Sequence, residues 1–171
     1  MKNLQKNLNI LLILILSGVL LSAFGVQFIY HEQPCPLCLL QRLGMIAVSC
    51  AAAFNLVFGL RMSHYGFMLL SALFGGFVAL RQISLHVCPG FSSFGLPVLG
   101  LSLYTWSFIV FVCVIAYTAL LLFIYDFKEE SKEPHGSLDG WNKFSCLLIL
   151  FIAGLNCITT LWQCGLGPCE G

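Results

Sequence analysis

The amino-acid sequence predicts an all-α membrane protein in which five helices cross the bilayer. Hydrophobic residues make up 59% of the 171 residues, charged residues make up only 9%, and the mean hydropathy is +0.94. A soluble domain carries about a quarter charged residues, so this chain has too few charges to cover a globule in water. The hydrophobic residues also fall in runs of about 20, the length that a helix needs to span the hydrocarbon core.

Each of the five runs is expected to be a helix, because backbone amides in hydrocarbon must be hydrogen-bonded within their own segment. The runs are predicted at 8–29, 39–60, 65–85, 103–125 and 144–161. The first run follows two lysines, as a signal peptide does, but it is long for one and lacks a good cleavage site. We therefore interpret it as a retained helix.

Three parts are predicted along the chain. Residues 1–125 form a four-helix membrane domain, 126–142 form a polar cytoplasmic linker, and 143–171 form a fifth helix with a cysteine-bearing tail. The basic residues that set the orientation lie near the helix ends: Lys2, Lys6, Arg61, Lys128, Lys132 and Lys143. The segments that hold them are predicted to be cytoplasmic. The basic residues form no patch that would indicate nucleic-acid binding.

The cysteines are distributed unevenly between the two sides of the membrane. Four of the nine fall inside hydrophobic runs. The other five all fall on the predicted non-cytoplasmic side: Cys35, Cys38, Cys88, Cys164 and Cys169. Disulfides form and persist on that oxidising side. The sequence therefore predicts disulfide chemistry at one face of the bundle.

The stretch Cys35-Pro36-Leu37-Cys38 stands at the start of the second helix. Proline is favoured at the first helical position, which would put Cys35 near the helix cap and Cys38 in the first turn. Unpaired N–H groups and the helix macrodipole favour a thiolate there. Arg42 follows Cys38 by four residues and would lie on the same helix face. It could stabilise a thiolate and polarise an oxygen of a lipid-soluble electron acceptor.

The stretch from Cys35 to Arg42, CPLCLLQR, resembles the C-x-x-C-x-x-x-R signature of the DsbB family, disulfide bond formation protein B. Those proteins are bacterial inner-membrane thiol oxidases that pass electrons from a soluble periplasmic dithiol protein to quinone. Residues 95–106, GLPVLGLSLYTW, are similar to the family segment that leads into helix 4. The resemblance covers about residues 8–125 and implies a transmembrane four-helix bundle, here with a probable fifth helix.

The resemblance also implies the site and its partners. It makes Cys35 and Cys38 catalytic, with Cys38 on the quinone side, and it implies ubiquinone or menaquinone as the cofactor. Arg42 would contact the quinone, helped by Arg81, Gln82 or His86; the family tends to carry histidine after the arginine at 81, where this chain has glutamine. The implied partner is a DsbA-like thioredoxin-type protein, and the active cysteines would face the periplasm. No metal site is expected.

The chain departs from the family at its second cysteine pair. The family carries that pair between helices 3 and 4, where this chain has only Cys88. We predict that the pair has moved to the tail as Cys164 and Cys169. A pairing of Cys88 with one tail cysteine remains open, and so does a static Cys164–Cys169 bond.

Three other functions remain open from the sequence. One is a quinone enzyme of the vitamin K epoxide reductase type, although the position of the C-x-x-C at the start of helix 2 disfavours it. Another is a soft-metal protein that binds or transports copper through its thiols. The third is a scaffold protein with inert disulfides.

Overall fold

The computed structural model describes residues 2–29, 35–87, 98, 100–125, 140–165 and 167. Within these ranges the chain forms five α-helices, which confirms all five predicted runs. They are α1 (Lys2–Ile29), α2 (Pro36–Val57), α3 (Met62–Val87), α4 (Leu103–Ile124) and α5 (Gly140–Cys164). Each helix is long and apolar enough to cross a membrane.

Three helices, α1, α3 and α5, are longer than the hydrophobic runs that predicted them, whereas α2 begins and ends three residues earlier than its run and α4 nearly coincides with its run. α1 begins at Lys2 rather than at residue 8, and α5 begins at Gly140 rather than at residue 144. Hydropathy marks where hydrocarbon begins, whereas helical hydrogen bonding continues into the polar interface. The last three residues of the predicted 126–142 linker therefore belong to α5.

The first four helices alternate in direction, so that chain segments distant in sequence meet at each end. At one end, Gln82 of α3 contacts Cys35 at the start of α2, and Arg42 of α2 contacts Ala23 of α1. We call this the thiol end. At the other end, Asn55 of α2 contacts Asn9 of α1. We call this the far end.

The fifth helix packs against α1 and α2. Its first residues lie near the start of α1, because Trp141 and Asn142 line one cavity together with residues 3–14. α5 therefore runs parallel to α1, and its last residue, Cys164, lies toward the thiol end.

Three helices approach closely around the ring of Phe111, which is fully buried on α4. A Cβ on Gly75 of α3 would overlap this ring, and a Cβ on Gly44 of α2 would lie 3.1 Å from the Cα of Gly75. A Cβ on Gly76 would make only ordinary contact, 3.5 Å from the Phe111 Cβ. Small residues permit such close approach between membrane helices. Gly75 therefore allows the close contact of the three helices, whereas Gly76 contributes little to it.

A buried network of amides connects α1, α2 and α3 at the far end. Asn9 Nδ2 donates to the Gln5 carbonyl (2.8 Å) and to the Tyr65 hydroxyl (3.1 Å). Asn55 Nδ2 donates to Asn9 Oδ1 (3.3 Å). Side-chain hydrogen bonds of this kind hold membrane helices together and fix their rotation relative to one another.

Candidate functional site

The two cysteines of the C-x-x-C sequence sit at the start of α2 as the sequence predicts. Cys35 is the N-cap in extended conformation (φ −66°, ψ 157°), and Pro36 occupies the first turn. The backbone N–H of Cys38 donates to Cys35 Sγ at 3.2 Å. Both thiols are free and partly buried. The cap therefore directs a helix N–H at one sulfur and places the other in the first turn.

A single glutamine from α3 contacts both sulfurs. Gln82 Nε2 donates to Cys35 Sγ at 3.2 Å and to Cys38 Sγ at 3.5 Å. Its Oε1 accepts a hydrogen bond from Gln41 Nε2 at 2.6 Å. Because the oxygen accepts from Gln41, the NH₂ group of Gln82 is directed at the sulfurs, and the buried side chain (1% exposed) has the Cys38 thiol as a further neighbour of its oxygen, at 3.9 Å.

The surroundings of Cys35 favour its protonated form. The side-chain hydrogen bond with Cys38, followed by burial, raises the pKa of Cys35 far above the ordinary thiol value. The bond to Cys38 uses the Cys35 proton, and burial disfavours the charged form; together they outweigh the N–H donors of Cys38 and Gln82, which lower the pKa of Cys35. Cys35 is therefore a thiol at neutral pH.

Arg42 is held in place by neutral groups. Its Nη1 donates to Gln27 Oε1 (2.6 Å), its Nη2 donates to the Ala23 carbonyl (3.1 Å), and its guanidinium lies 4.8 Å above the Phe24 ring. The side chain is only 8% exposed. All seven Asp and Glu residues of the chain lie outside the described ranges, so within those ranges no carboxylate neutralises Arg42. Its charge remains available to an electron-rich ligand or thiolate.

The two cysteines, Gln82 and Arg42 line one cavity of about 370 Å³ between α1, α2 and α4. That volume lies within the range of small-molecule sites, which are mostly apolar with a few convergent polar groups. Here the polar groups are Cys35, Cys38, Gln41, Arg42 and Gln82 on one side, with Gln27, Ser22 and Ser107 elsewhere. The remaining lining residues are Val19, Leu20, Ala23, Val26, Met45, Val98, Leu103, Tyr104, Trp106 and Val110.

The α4 side of the cavity is braced by a tight turn. Val98 and Leu101 exchange two backbone hydrogen bonds of 2.9 and 3.1 Å. Gly100 lies between them at φ +79°, a conformation that favours glycine. Trp106 Nε1 donates to the Val98 carbonyl at 3.0 Å. The turn is thereby fixed to the helix whose side chains line the cavity.

The other predicted cofactor residues lie in different places. Arg81 is exposed on α3 and does not line the cavity. His86 does not line it either, but its ring stacks on Tyr104 with centroids 4.9 Å apart, and its Nδ1 lies 2.8 Å from the Gln82 carbonyl. His86 therefore braces one lining residue.

The outer cysteines are described only in part. Cys164 is disulfide-bonded, and its partner lies outside the described residues. The six other described cysteines are free, which leaves the Cys88 and Cys169 alternatives open. Both of those predicted residues lie outside the described ranges. Within the described ranges, no three His, Cys, Asp or Glu side chains come together as metal ligands would.

Sequence reasoning missed two glutamines at this site. Gln41 orients Gln82, and Gln27 binds Arg42. The available signal was their position, since each lies near the thiol-end terminus of a membrane helix, where an amide must find a partner.

The membrane bundle and its dithiol beside an apolar cavity define an oxidoreductase of the membrane that handles disulfide bonds. The family described as "Disulfide bond formation protein DsbB" matches residues 5–94 of the chain. The chain belongs to the DsbB family, which confirms the resemblance seen in the sequence. It is thus a membrane disulfide bond formation protein.

Curated relatives support the same assignment. A "Disulfide bond formation protein B" from Polaromonas sp. (strain JS666) is 30% identical over 141 residues, covering 61% of this chain and 84% of the relative. Proteins of the same name from Chromobacterium violaceum and Burkholderia pseudomallei (strain K96243) are 36% and 32% identical, over 43% and 52% of this chain. In these two comparisons the chain spans about half of the relative, 46% and 54%. No solved structure matches the chain significantly.

Proposed function

We propose that the protein reoxidises a DsbA-like periplasmic dithiol protein and passes the electrons to membrane quinone. The thiol end would then face the periplasm of a bacterial inner membrane. One observation carries the proposal: Cys38 and Arg42 line the same largely apolar cavity, in a bundle built to cross a membrane. A lipid-soluble ring can reach such a cavity from the bilayer, while the cysteines lie at the end of the bundle.

The chemistry of the acceptor fits the residues that line the cavity. A quinone takes up two electrons and two protons from a dithiol, leaving a disulfide and a quinol. Its ring is apolar, which suits the aliphatic and aromatic lining, and its oxygens gain negative charge on reduction. Arg42, with no carboxylate beside it in the described ranges, would hold such an oxygen. The lining would accept ubiquinone or menaquinone.

The two cysteines would have different tasks. Cys38, four residues from Arg42, would face the quinone, and its thiolate would be stabilised by the arginine and by Gln82 Nε2. Cys35, which keeps its proton, would exchange with the outer disulfide. Gln82 contacts both sulfurs, so it would support either one as it becomes negative during exchange.

The outer disulfide at Cys164 would receive electrons from the partner. A thiolate of the partner attacks this disulfide, the partner becomes oxidised, and the released cysteines reduce the Cys35–Cys38 disulfide in a second exchange. Two electrons move at each step, and no oxidant other than quinone is needed. The position of Cys164 at the end of α5 that lies toward the thiol end supports this relay. The proposal assigns the cavity to residues 1–125 and the outer cysteine to the segment that begins with α5 at Gly140, so that the predicted linker of 126–142 is shortened by its last three residues.

The test is anaerobic turnover of the full-length protein with a reduced thioredoxin-like partner and a soluble quinone. We expect Cys38→Ala to abolish quinol formation. Cys164→Ser should prevent oxidation of the partner but leave quinol formation with dithiothreitol, because the small reductant can reach the inner pair directly. Cys113→Ser, at an exposed thiol on the flank of α4, is the matched control and should retain both activities. Equal loss of both activities in Cys164→Ser would contradict the relay.

A further inference from the structure

A second cavity lies at the far end of the bundle, away from the thiols. It has a volume of about 540 Å³ and is formed by the first turns of α1 and α5. Its polar lining is Asn3, Lys6, Asn7 and Asn142, and its apolar lining includes Ile10 and Leu14, further along α1. The cavity therefore changes from polar to apolar along the helix axis.

The polar groups of this cavity lack partners among the described residues. Asn142 is only 3% exposed, lines the cavity, and makes no side-chain hydrogen bond within the described part of the chain. Lys6 is partly buried and forms no ion pair there. The amide of Asn142 therefore faces the cavity without a partner among the described residues, and a ligand that accepts hydrogen bonds would satisfy it.

The charge of the cavity indicates that the ligand is an anion. Lys6 contributes a full positive charge, and the described lining contains no carboxylate. α1 and α5 run parallel and both begin here, so the positive ends of two helix macrodipoles lie at the same place. Ammonium and amide donors around a positive potential are what a phosphate group requires.

The surroundings of the cavity favour a lipid as the source of that phosphate. Leu11 lines the cavity and is 48% exposed, and Ile15, one turn further along α1, is 54% exposed. Trp141 lines the cavity and is 66% exposed, in keeping with the preference of tryptophan for the headgroup region. A phosphate held at Lys6 would leave its acyl chains free to run along this apolar surface.

We propose that this cavity binds the phosphate of an anionic phospholipid. The bound lipid would contact both α1 and α5, and so would stabilise the docking of the helix that carries Cys164. Basic pockets between membrane helices are known to hold lipid headgroups in this way. The proposal goes beyond the redox function and does not depend on it.

The experiment is native mass spectrometry of the full-length protein in detergent, titrated with phosphatidylglycerol, phosphatidylcholine or inorganic phosphate. We expect bound phosphatidylglycerol, and about 10-fold weaker binding in Lys6→Gln, because a charge-assisted hydrogen bond is lost. Asn142→Leu should weaken binding as well. Lys143→Gln is the matched control, since this lysine is exposed on the same turn of α5 but does not line the cavity. It should bind within about twofold of the unmodified chain.

Three results would overturn the proposal. Equal weakening by Lys143→Gln would show only general attraction of the lipid to basic residues. Equal binding of phosphatidylcholine and phosphatidylglycerol would remove the role of the net charge. Displacement of the lipid by inorganic phosphate at comparable concentration would assign the site to a soluble anion. The thermal stability of each variant in the lipid-free state shows whether that variant folds. We expect Lys6→Gln to fold, because Lys6 is an interfacial residue without a protein partner in the described structure.

Discussion

Replacing Gln82 with leucine should slow electron transfer from the dithiol to quinone without removing a cysteine or the arginine. The substitution deletes the Nε2 contacts of 3.2 and 3.5 Å to the two sulfurs. A hydrogen bond to a charged group contributes about 1.5–3 kcal/mol, and about 1.4 kcal/mol corresponds to a tenfold change in rate. We therefore expect quinone reduction to slow by about 10- to 100-fold.

Gln41, whose amide orients Gln82, provides a second variant with a smaller expected effect on the rate. Gln41→Leu keeps the NH₂ group of Gln82 but removes the 2.6 Å hydrogen bond that directs it. Only the orientation is lost, so the expected slowing is smaller, about 3- to 10-fold. The assay is single-turnover quinone reduction by the pre-reduced protein, followed by stopped-flow absorbance.

Ser84→Ala serves as the control, because this serine is exposed on α3 and bonds only to the carbonyl of its own helix. The thermal midpoint of each variant separates slower chemistry from poorer folding. A folded Gln82→Leu protein that reduces quinone at the unmodified rate would refute the assignment of Gln82 to the sulfurs. A larger loss in Gln41→Leu than in Gln82→Leu would refute the orienting role of Gln41.

Three further predictions concern the arginine, the helix packing and the thiol pKa. Arg42→Met should raise the KM for quinone and lower kcat, so that kcat/KM falls by about 100-fold. Arg42→Lys should restore only part of kcat/KM, because a lysine cannot reproduce the two guanidinium contacts to Gln27 and Ala23. Steady-state kinetics would check both results. Gly75→Ala should destabilise the bundle by about 1–3 kcal/mol through overlap with the α4 ring, whereas Gly76→Ala should have little effect, as measured by thermal unfolding in detergent. Cys38→Ala removes the hydrogen bond that most raises the pKa of Cys35. Alkylation of Cys35 should therefore begin at lower pH in that variant, and an unchanged or higher alkylation midpoint would contradict this cause.

The parts of the structure that local rules determine could be predicted from the sequence. The five helices follow from hydropathy and length. The capping position of Cys35 follows from Pro36, because proline is favoured in the first turn and fixes where the helix starts. Cys38 and Arg42 line the same cavity because their four-residue spacing places them on one face of the same helix.

Contacts between helices could not be predicted in the same way. Most faces of these helices are apolar, because lipid surrounds the bundle, so hydropathy does not reveal how each helix is rotated. The pairing of Gln41 with Gln82 depends on the rotation of α2 and α3. The pairing of Asn9 with Asn55 and Tyr65 has the same origin. The disulfide partner of Cys164 stays a prediction, since both candidates lie outside the described residues.

The most direct test of the redox account is the stoichiometry of anaerobic turnover with a reduced partner protein and quinone. If Cys35 and Cys38 deliver electrons to a quinone beside Arg42, quinol and partner disulfide should form in equal amounts over many turnovers. Cys38→Ala should form no quinol, and its partner disulfide should stop at the amount of outer disulfide initially present. Partner disulfide that accumulates beyond that amount without quinol, or quinol that still forms in Cys38→Ala, would contradict it.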